Sequence, residues 1–216
     1  LVTVSEATKE DVLKEATWFD PTKITVIPTV VPQHFKPRKA EPNNPKPIAL
    51  HIGVAENKNL RRHAEALRGL DVHLRIIGEP SDADHRILRQ LGIEYSTQSK
   101  LTDAEMQEAY ATSDFLLFAS TLEGFGMPIL EAQMVGLPVI TSNIEPMNEV
   151  AGDGALLCDP FDTHSIRARI QELKRNPDQR EELIQKGFEN CNNYTPSTPT
   201  AMLQFTYLKC YTKLFS

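Results

Sequence analysis

Two glutamates enclose a glycine-containing segment near the middle of the 216-residue chain, at Glu123 and Glu131. Gly124 and Gly126 lie between them, and Pro128 stands where a first helical residue would be. Glycines let the backbone approach a ligand closely, and a helix start offers free N–H groups at the positive end of its dipole. The pattern therefore favours an anion such as a phosphate. The two carboxylates suit sugar or ribose hydroxyls, because ionised carboxylates only accept hydrogen bonds.

A purely structural interpretation of the same residues stays open. The glycines could only shape a tight turn between a strand and a helix, and Glu131 could only complement the helix dipole. An NAD enzyme is disfavoured, because Ile129 occupies the place of the third glycine in a dinucleotide-binding fingerprint.

A second group of candidates follows the predicted strand that ends at Ile52 and Gly53. Lys58, Arg61 and Arg62 fall in the first turns of a predicted helix, where the dipole disfavours cations by about 0.3 to 1 kcal/mol each. A bound anion would offset that cost. We expect Lys58 to serve this purpose because it lies where the loop leaves the strand, and we expect the two arginines to point into solvent.

Other residue types of catalytic interest are expected to be structural. Asp82 and Asp84 follow Ser81 at a predicted helix start, where capping explains them better than a metal site. No motif places a serine or cysteine beside a histidine, so no nucleophilic triad is predicted. Three cysteines without a CxxC pair favour a reducing compartment over a zinc site or a disulfide framework.

The composition is that of an ordinary globular domain, with 40% hydrophobic and 24% charged residues. The formal net charge of -6 argues against nucleic-acid binding, which needs basic surfaces. No apolar run is long enough to span a bilayer, and the first residues do not resemble a signal peptide.

The elements that must position these residues alternate between strand-like and helix-like from Ile48 onward. This alternation predicts a parallel sheet with helices on both faces, the doubly wound α/β architecture, in which ligands bind at the carboxyl ends of the strands. Strands are predicted at 48–52, 72–77, 115–119 and from 139, and helices at 58–67, 82–91, 102–111 and 128–135. The last third is predicted to be helical, with core-facing stripes at Ile166, Ile170 and Leu173 and at Ile184, Phe188 and Cys191.

Composition also divides the chain into parts. Residues 1–27 are predicted to form a strand, a helix capped by Thr8 and a second strand, which is too little for a domain of its own. Six prolines predict that residues 28–47 form an extended linker. Residues 48–195 hold the alternating segments, and 196–216 are predicted to be a final helix that could pack on a neighbouring domain.

The segment from Glu123 to Glu131 resembles the glutamate, seven residues, glutamate signature of the retaining GT-B glycosyltransferases, a large family that includes many mannosyl- and glucosyltransferases. Residues 5–11 and 27–28 resemble the end of the acceptor domain in that family, and residues 52–60 resemble the start of the donor domain. Similar matches occur at 110–114, 136–140 and 149–154, so that the resemblance covers essentially the whole chain.

The resemblance implies that the chain is the carboxyl-terminal half of a fold with two Rossmann-like domains, preceded by a remnant of the acceptor domain. Glu131 would hold the ribose hydroxyls, Glu123 would be the catalytic residue in contact with the donor sugar, and Lys58 would neutralise the leaving diphosphate. Many relatives have an arginine where this chain has Val54, so a second cation would be missing or come from Arg61 or Arg62. The implied donor site is completed by Gly53 and by the backbone of Gly124, Phe125, Gly126 and Met127.

The implied reaction moves a hexose from a UDP- or GDP-sugar to a glycan or lipid-linked acceptor with retention at the anomeric carbon, without a metal or other cofactor. Ser99 and Lys100 are candidates for contacting the base. A cytoplasmic protein is implied, with association at the inner face of the membrane through the absent acceptor domain left open. Two alternatives remain: a non-catalytic module that binds nucleotide sugars, and a nucleotide-sugar epimerase of similar fold.

Overall fold

A parallel sheet of six strands forms the centre of the fold in the computed structural model, which describes residues 1–32, 34–42 and 44–195. The strands are β1 (Val2–Thr3), β2 (Thr25–Val26), β3 (Ile48–Ile52), β4 (His73–Ile77), β5 (Tyr95–Gln98), β6 (Phe115–Phe118), β7 (Val139–Ser142) and β8 (Ala155–Cys158). The helices are α1 (Glu6–Glu15), α2 (Leu60–Leu67), α3 (Asp82–Gln90), α4 (Asp103–Ala111), α5 (Met127–Val135), α6 (Met147–Ala151), α7 (Thr163–Arg175) and α8 (Pro177–Cys191).

The order of the strands in the large sheet is β5-β4-β3-β6-β7-β8, and all neighbours are parallel. The chain starts in the middle at β3, adds strands outward to β5, and then returns to place β6 on the other side of β3. This reversal is the doubly wound topology that the sequence predicted, and it puts the loops after β3 and β6 side by side. Strands β1 and β2 form a separate parallel pair.

The central strands are buried on both faces, because helices cover the sheet on each side. In β3, Ala49 packs into one apolar cluster with α2, α3 and α7, while Leu50 packs into the other with α4, α5 and α6. In β6, Leu117 and Leu116 divide in the same way. Continuous apolar runs of this kind are typical of parallel strands.

Several predicted boundaries need correction. Helix α1 begins at Glu6 with Ser5 as its N-cap, because the Ser5 hydroxyl accepts the N–H of Thr8 at 3.1 Å; Thr8 is therefore not the cap. Helix α2 begins at Leu60 rather than at Lys58, because Glu56–Lys58 is a separate 3-10 turn. Helix α5 begins at Met127, which makes Pro128 the second helical residue.

The core-facing stripe of α8 also differs from its prediction. Leu183, Gly187 and Cys191 are the buried residues, four positions apart, whereas Ile184 and Phe188 are half-buried. Phe188 lies close to Gly136, where a Cβ would come within 2.9 Å of its ring. The helix is therefore rotated slightly from the expected orientation. The stripe predicted for α7 is confirmed, since Ile166, Ile170 and Leu173 are buried.

Residues 28–32, 34–42 and 44–47 contain no helix or strand, but they are packed against the domain. Val31 and Phe35 are buried in the cluster that contains α5. The Arg38 backbone N–H donates to the carbonyl of Val135 at 2.9 Å, and its guanidinium donates to the carbonyl of Ser113 at 3.2 Å. The predicted final helix, 196–216, lies outside the described residues. Within the described part of the chain, no helix has the length and apolar character needed to cross a membrane.

Candidate functional site

The loops after β3 and β6 are hydrogen-bonded to each other at the carboxyl edge of the sheet. The backbone N–H of Thr121 donates to the carbonyl of Asn57 at 2.8 Å, and the Asn57 side-chain amide donates to the carbonyl of Leu122 at 2.7 Å. Lys58 follows Asn57, and Glu123 follows Leu122. These bonds therefore fix the positions of Lys58 and Glu123 relative to each other.

Asn59 ties a third loop to this pair. Its backbone is left-handed, with φ of 63°, and its buried side-chain amide donates to the carbonyls of Ala119 at 2.9 Å and Pro160 at 2.7 Å. The loops after β6 and β8 are thus fixed by one side chain. No motif in the sequence predicts this role, although asparagine is among the residues that best tolerate a left-handed backbone.

Lys58 and Glu123 form an ion pair, with 2.6 Å between Lys58 Nζ and Glu123 Oε1. Their side chains are only 20% and 11% exposed. The ammonium also lies 4.8 Å from the centre of the Phe118 ring. Gly53 makes room for the lysine stem, because a Cβ at Gly53 would come within 3.0 Å of Lys58 Cγ and Cε. Three predicted donor-site residues are therefore in one place.

The glycine segment after Glu123 presents backbone N–H groups. Gly126 has φ of +107° and caps α5, and the N–H groups of Gly124, Phe125, Gly126 and Met127 meet no acceptor among residues 1–32, 34–42 and 44–195. The Phe125 side chain is 7% exposed and packs in the core beside Tyr194. The Phe125 side chain is therefore turned away from solvent, whereas the backbone N–H groups lack partners, and such a run of N–H groups at a helix start suits an anion.

Glu131 lies one helical turn beyond Met127 and accepts a hydrogen bond of 2.5 Å from the hydroxyl of Tyr110. Burial raises the pKa of Glu131, and the hydrogen bond from Tyr110 partly opposes that rise. The same burial, together with the charge of Glu131, raises the pKa of Tyr110 well above its ordinary value. Tyr110 thus orients the carboxylate. This contact is not predictable from the sequence, because nothing in the spacing of 21 residues between Tyr110 and Glu131 indicates it.

The two other cations that follow β3, Arg61 and Arg62, are paired with other side chains. Arg61 is exposed and pairs with Glu65 at 3.0 Å, which confirms that it points into solvent. Arg62 was also expected in solvent, but it is half-buried, donates to Asn59 Oδ1 at 3.0 Å and lies over the Phe161 ring. Neither arginine contacts Glu123 or the glycine segment.

The residues suggested for base contact follow β5, the outermost strand. Ser99 donates to Glu79 at 2.8 Å, and Lys100 pairs with the same carboxylate at 3.6 Å. They lie two strands away from β3, at the edge of the sheet. Val54, at the position where many relatives have arginine, packs against Gly78.

Asp84 closes a capping box at the start of α3. It accepts the backbone N–H of Ser81 at 2.9 Å, while the Ser81 hydroxyl accepts the N–H of Asp84 at 3.2 Å. Asp82 lies in the same first turn. The predicted capping function is confirmed.

Two buried histidines contact each other, and one of them contacts the backbone of the residue that follows β6. Nδ1 of His51 lies 2.9 Å from Nδ1 of His63, and Nε2 of His63 lies 3.3 Å from the carbonyl of Ala119. Because His63 donates from Nε2, its Nδ1 accepts the proton of His51. Burial lowers the pKa of His51 to about 4 and lowers the pKa of His63 well below its ordinary value. Both rings are neutral at pH 7.

The sequence model of the family described as "Glycosyl transferases group 1" matches residues 32–190. The chain is 32% identical to the O-antigen chain mannosyltransferase B of Escherichia coli over 168 residues, which are 68% of this chain and 44% of that protein. It is 30% identical to the MMP alpha-(1->4)-mannosyltransferase of Mycolicibacterium hassiacum over 189 residues, 82% of this chain and 46% of that protein. The chain thus spans less than half the length of these curated relatives.

The crystal structure of a glycosyltransferase from Rickettsia africae superposes with a TM-score of 0.82 and 21% identity, covering 100% of this chain and 63% of that one. This likeness shows the fold, a six-stranded parallel α/β domain of the GT-B type. Together with the family match, which covers most of the described residues, it settles the resemblance noted in the sequence. The chain belongs to the group 1 glycosyl transferases and has the fold of their carboxyl-terminal domain.

Proposed function

We propose that this chain is the donor-binding half of a retaining hexosyltransferase that uses a nucleotide-diphosphate sugar. The observation that carries the proposal is the cluster at the β3 and β6 loops, where a half-buried lysine, a carboxylate and a run of unpaired N–H groups meet beside the start of α5. The two curated relatives are mannosyltransferases, which makes mannose the first sugar to test.

The diphosphate of the donor fits the positive groups of this cluster. The Lys58 ammonium would bind one phosphate, and the N–H groups of Gly124 to Met127 would bind the other at the positive end of α5. Arg61 and Arg62, the cations that follow in α2, pair with Glu65 and with Asn59, and within the described residues neither contacts Glu123 or the glycine segment. We propose that these groups replace a metal ion as the source of positive charge.

The two glutamates would hold the hydroxyl-bearing parts of the donor. Glu123 starts the glycine segment and would contact the sugar. Glu131 lies about 6 Å along the axis of α5 from Met127 and would accept the ribose hydroxyls. The hydrogen bond from Tyr110 fixes one oxygen of Glu131 and leaves the other available. A single nucleotide sugar could span both carboxylates.

In the proposed reaction the bond between the anomeric carbon and the diphosphate breaks, and the acceptor hydroxyl bonds to the same face of that carbon. The proton of the hydroxyl passes to the leaving diphosphate, which lies on that face. Lys58 and the N–H groups would stabilise the negative charge that develops on the diphosphate, and positioning supplies the rest. The chain needs no nucleophilic side chain for this mechanism.

Residues 1–27 are proposed to belong with the acceptor domain, 28–47 to link it, and 48–195 to bind the donor. The O-antigen chain named for the Escherichia coli relative favours a glycan as acceptor, in polysaccharide biosynthesis, and we propose a lipid-linked saccharide as the alternative acceptor. A lipid-linked acceptor would bring the protein from the cytoplasm to the inner face of the membrane.

Calorimetric titration of the 216-residue chain with GDP-mannose and UDP-glucose tests the proposal. We expect the chain to bind one of the two, and Lys58→Met to bind it about tenfold more weakly, or 1.4 kcal/mol. Lys186→Met is the matched control, because Lys186 lies on α8 and its ammonium pairs with Glu182 of the same helix at 2.7 Å. Failure of the chain to bind either ligand would contradict the proposed function. Equal binding by Lys58→Met and the unchanged chain would contradict the assignment of the site.

A further inference from the structure

The carbonyl of Gly124 is held by two hydroxyls from the start of the chain. Ser5 Oγ donates to it at 2.9 Å and Thr8 Oγ1 donates to it at 3.0 Å, although these residues precede Gly124 by 119 and 116 positions. Ser5 is 3% exposed, so its hydroxyl makes this contact shielded from solvent. The glycine segment is thus fastened to α1 as well as to α5.

The hydrogen atoms are sufficient for both bonds. Ser5 Oγ already accepts the backbone N–H of Thr8 at 3.1 Å, which leaves its own hydrogen free to donate. The Thr8 hydroxyl has one hydrogen as well, and a carbonyl oxygen has two lone pairs. Each hydroxyl can therefore donate to Gly124 at the same time, without needing the contact of 2.9 Å between them.

These bonds decide which way one peptide unit faces. The carbonyl of Gly124 and the N–H of Phe125 belong to the same planar trans peptide, so they point in opposite directions. Gly124 has no side chain of its own to restrict this peptide, and a Cβ built there would have no atom of the described residues within 4 Å. With the oxygen turned toward α1, the Phe125 N–H is turned away from it.

We propose that Ser5 and Thr8 are positioning residues for donor binding, which hold the Gly124 peptide so that the N–H of Phe125 faces the donor diphosphate. This inference rests on the proposed function. It makes donor affinity depend on residues of the 1–27 segment. Residues 1–27 and the glycine segment would then bind the donor together, since the first holds the second in its binding conformation.

A set of variants separates the two hydroxyls from other effects. Thr8→Val keeps the shape of the side chain and removes one donor, and Ser5→Ala combined with Thr8→Val removes both. Ser81→Ala is the control for cap loss, since Ser81 caps α3 through the same type of bond and lies away from the glycine segment. Thr8→Ser retains the hydroxyl and should retain wild-type affinity.

The readout is the affinity for GDP compared with GMP, or for UDP compared with UMP, by calorimetry on the whole chain. We expect the double variant to lose at least about fivefold in diphosphate affinity and less than about twofold in monophosphate affinity, because only the diphosphate reaches the glycine segment. A general loss of structure would weaken both ligands, so it would overturn the inference. Thr8→Val alone should lose less than the double variant, and Ser81→Ala should lose nothing.

Two failures can be told apart. A wild-type chain that binds neither GDP nor UDP overturns the proposed function and this inference with it. A wild-type chain that binds a diphosphate which the double variant binds equally well overturns the inference alone.

Discussion

The ammonium of Lys58 lies 2.6 Å from the carboxylate of Glu123, so two residues assigned to the same donor are bonded to each other. Both side chains are largely shielded from water, where opposite charges attract more strongly than at the surface. Any phosphate that binds Lys58 must therefore compete with Glu123. The pair keeps each charge balanced and holds the two loops together.

Glu123→Gln should strengthen the binding of a nucleoside diphosphate. The amide keeps the size of the side chain but no longer neutralises Lys58, so the diphosphate meets a free ammonium; we expect roughly threefold or greater tightening. Affinity for the intact nucleotide sugar should fall, because the carboxylate no longer accepts the sugar hydroxyls. Calorimetry with both ligands measures this split. The control is Glu182→Gln, which removes a carboxylate from the pair with Lys186 on α8. Weaker diphosphate binding by Glu123→Gln would show that the two charges do not compete.

Tyr110→Phe should destabilise the fold more at neutral pH than at acidic pH. Burial raises the pKa of Glu131 above the ordinary 4.5. The free-energy cost of ionising this buried carboxylate therefore appears as the pH rises through its raised pKa. Without the Tyr110 hydroxyl the buried carboxylate loses its donor, at a cost of about 1 to 3 kcal/mol when it is ionised. Urea unfolding at pH 7.5 and pH 4.5 measures the difference.

Glu131→Gln supplies the control for this measurement. The amide oxygen can still accept from Tyr110 but carries no charge, so Tyr110→Phe in that background should cost the same at both pH values. A cost of Tyr110→Phe that is independent of pH in the unchanged chain would contradict the role given to the hydroxyl.

The buried histidine pair should make the fold sensitive to acid. The pKa of His51 is lowered from 6.5 to about 4, so the stability linked to it is complete above pH 6.5 and is lost as the pH falls toward 4. Between pH 6.5 and pH 4, one histidine in this state lowers the free energy of unfolding by about 1.4 kcal/mol for each pH unit. Replacing both rings, His51→Leu with His63→Leu, should flatten the decline in urea unfolding between pH 7 and pH 4.5. His164→Gln changes an exposed histidine and should leave the decline as it is. An equally steep decline in the double leucine variant would contradict the assignment of the acid sensitivity to His51 and His63.

The architecture was predictable because the central strands of a parallel sheet are apolar throughout and alternate with helices. The edge strand β5 was not, because Tyr95–Gln98 is polar and mostly exposed and pairs only with β4. Its burial pattern resembles that of a loop, and only backbone pairing makes it a strand.

The local parts of the site were also predictable, since Glu123, Gly124 and Gly126 lie within four consecutive positions of the sequence. The contacts that hold the site together were not. The pairing of Lys58 with Glu123 depends on β6 returning beside β3, and the bond from Ser5 to Gly124 joins residues 119 positions apart. Such contacts follow from the three-dimensional packing of elements, which spacing along the chain does not encode.

Gly53→Ala and Gly69→Ala should separate backbone strain from loss of the site. Both glycines are left-handed, with φ of +85° and +71°, so each alanine should cost about 1 to 2 kcal/mol of stability. A Cβ at Gly53 would lie 3.0 Å from Lys58 Cγ and Cε, whereas a Cβ at Gly69 would have no atom of the described residues within 4 Å. The lysine must therefore move only in the first variant.

We expect Gly53→Ala to weaken diphosphate binding about as much as Lys58→Met does, while Gly69→Ala binds normally despite an equal shift in urea midpoint. Combining Gly53→Ala with Lys58→Met should add little further loss, because both changes remove the same ammonium from the same place. Additive losses would mean that Gly53 contributes through its own close approach to the ligand, independently of the space it leaves for Lys58.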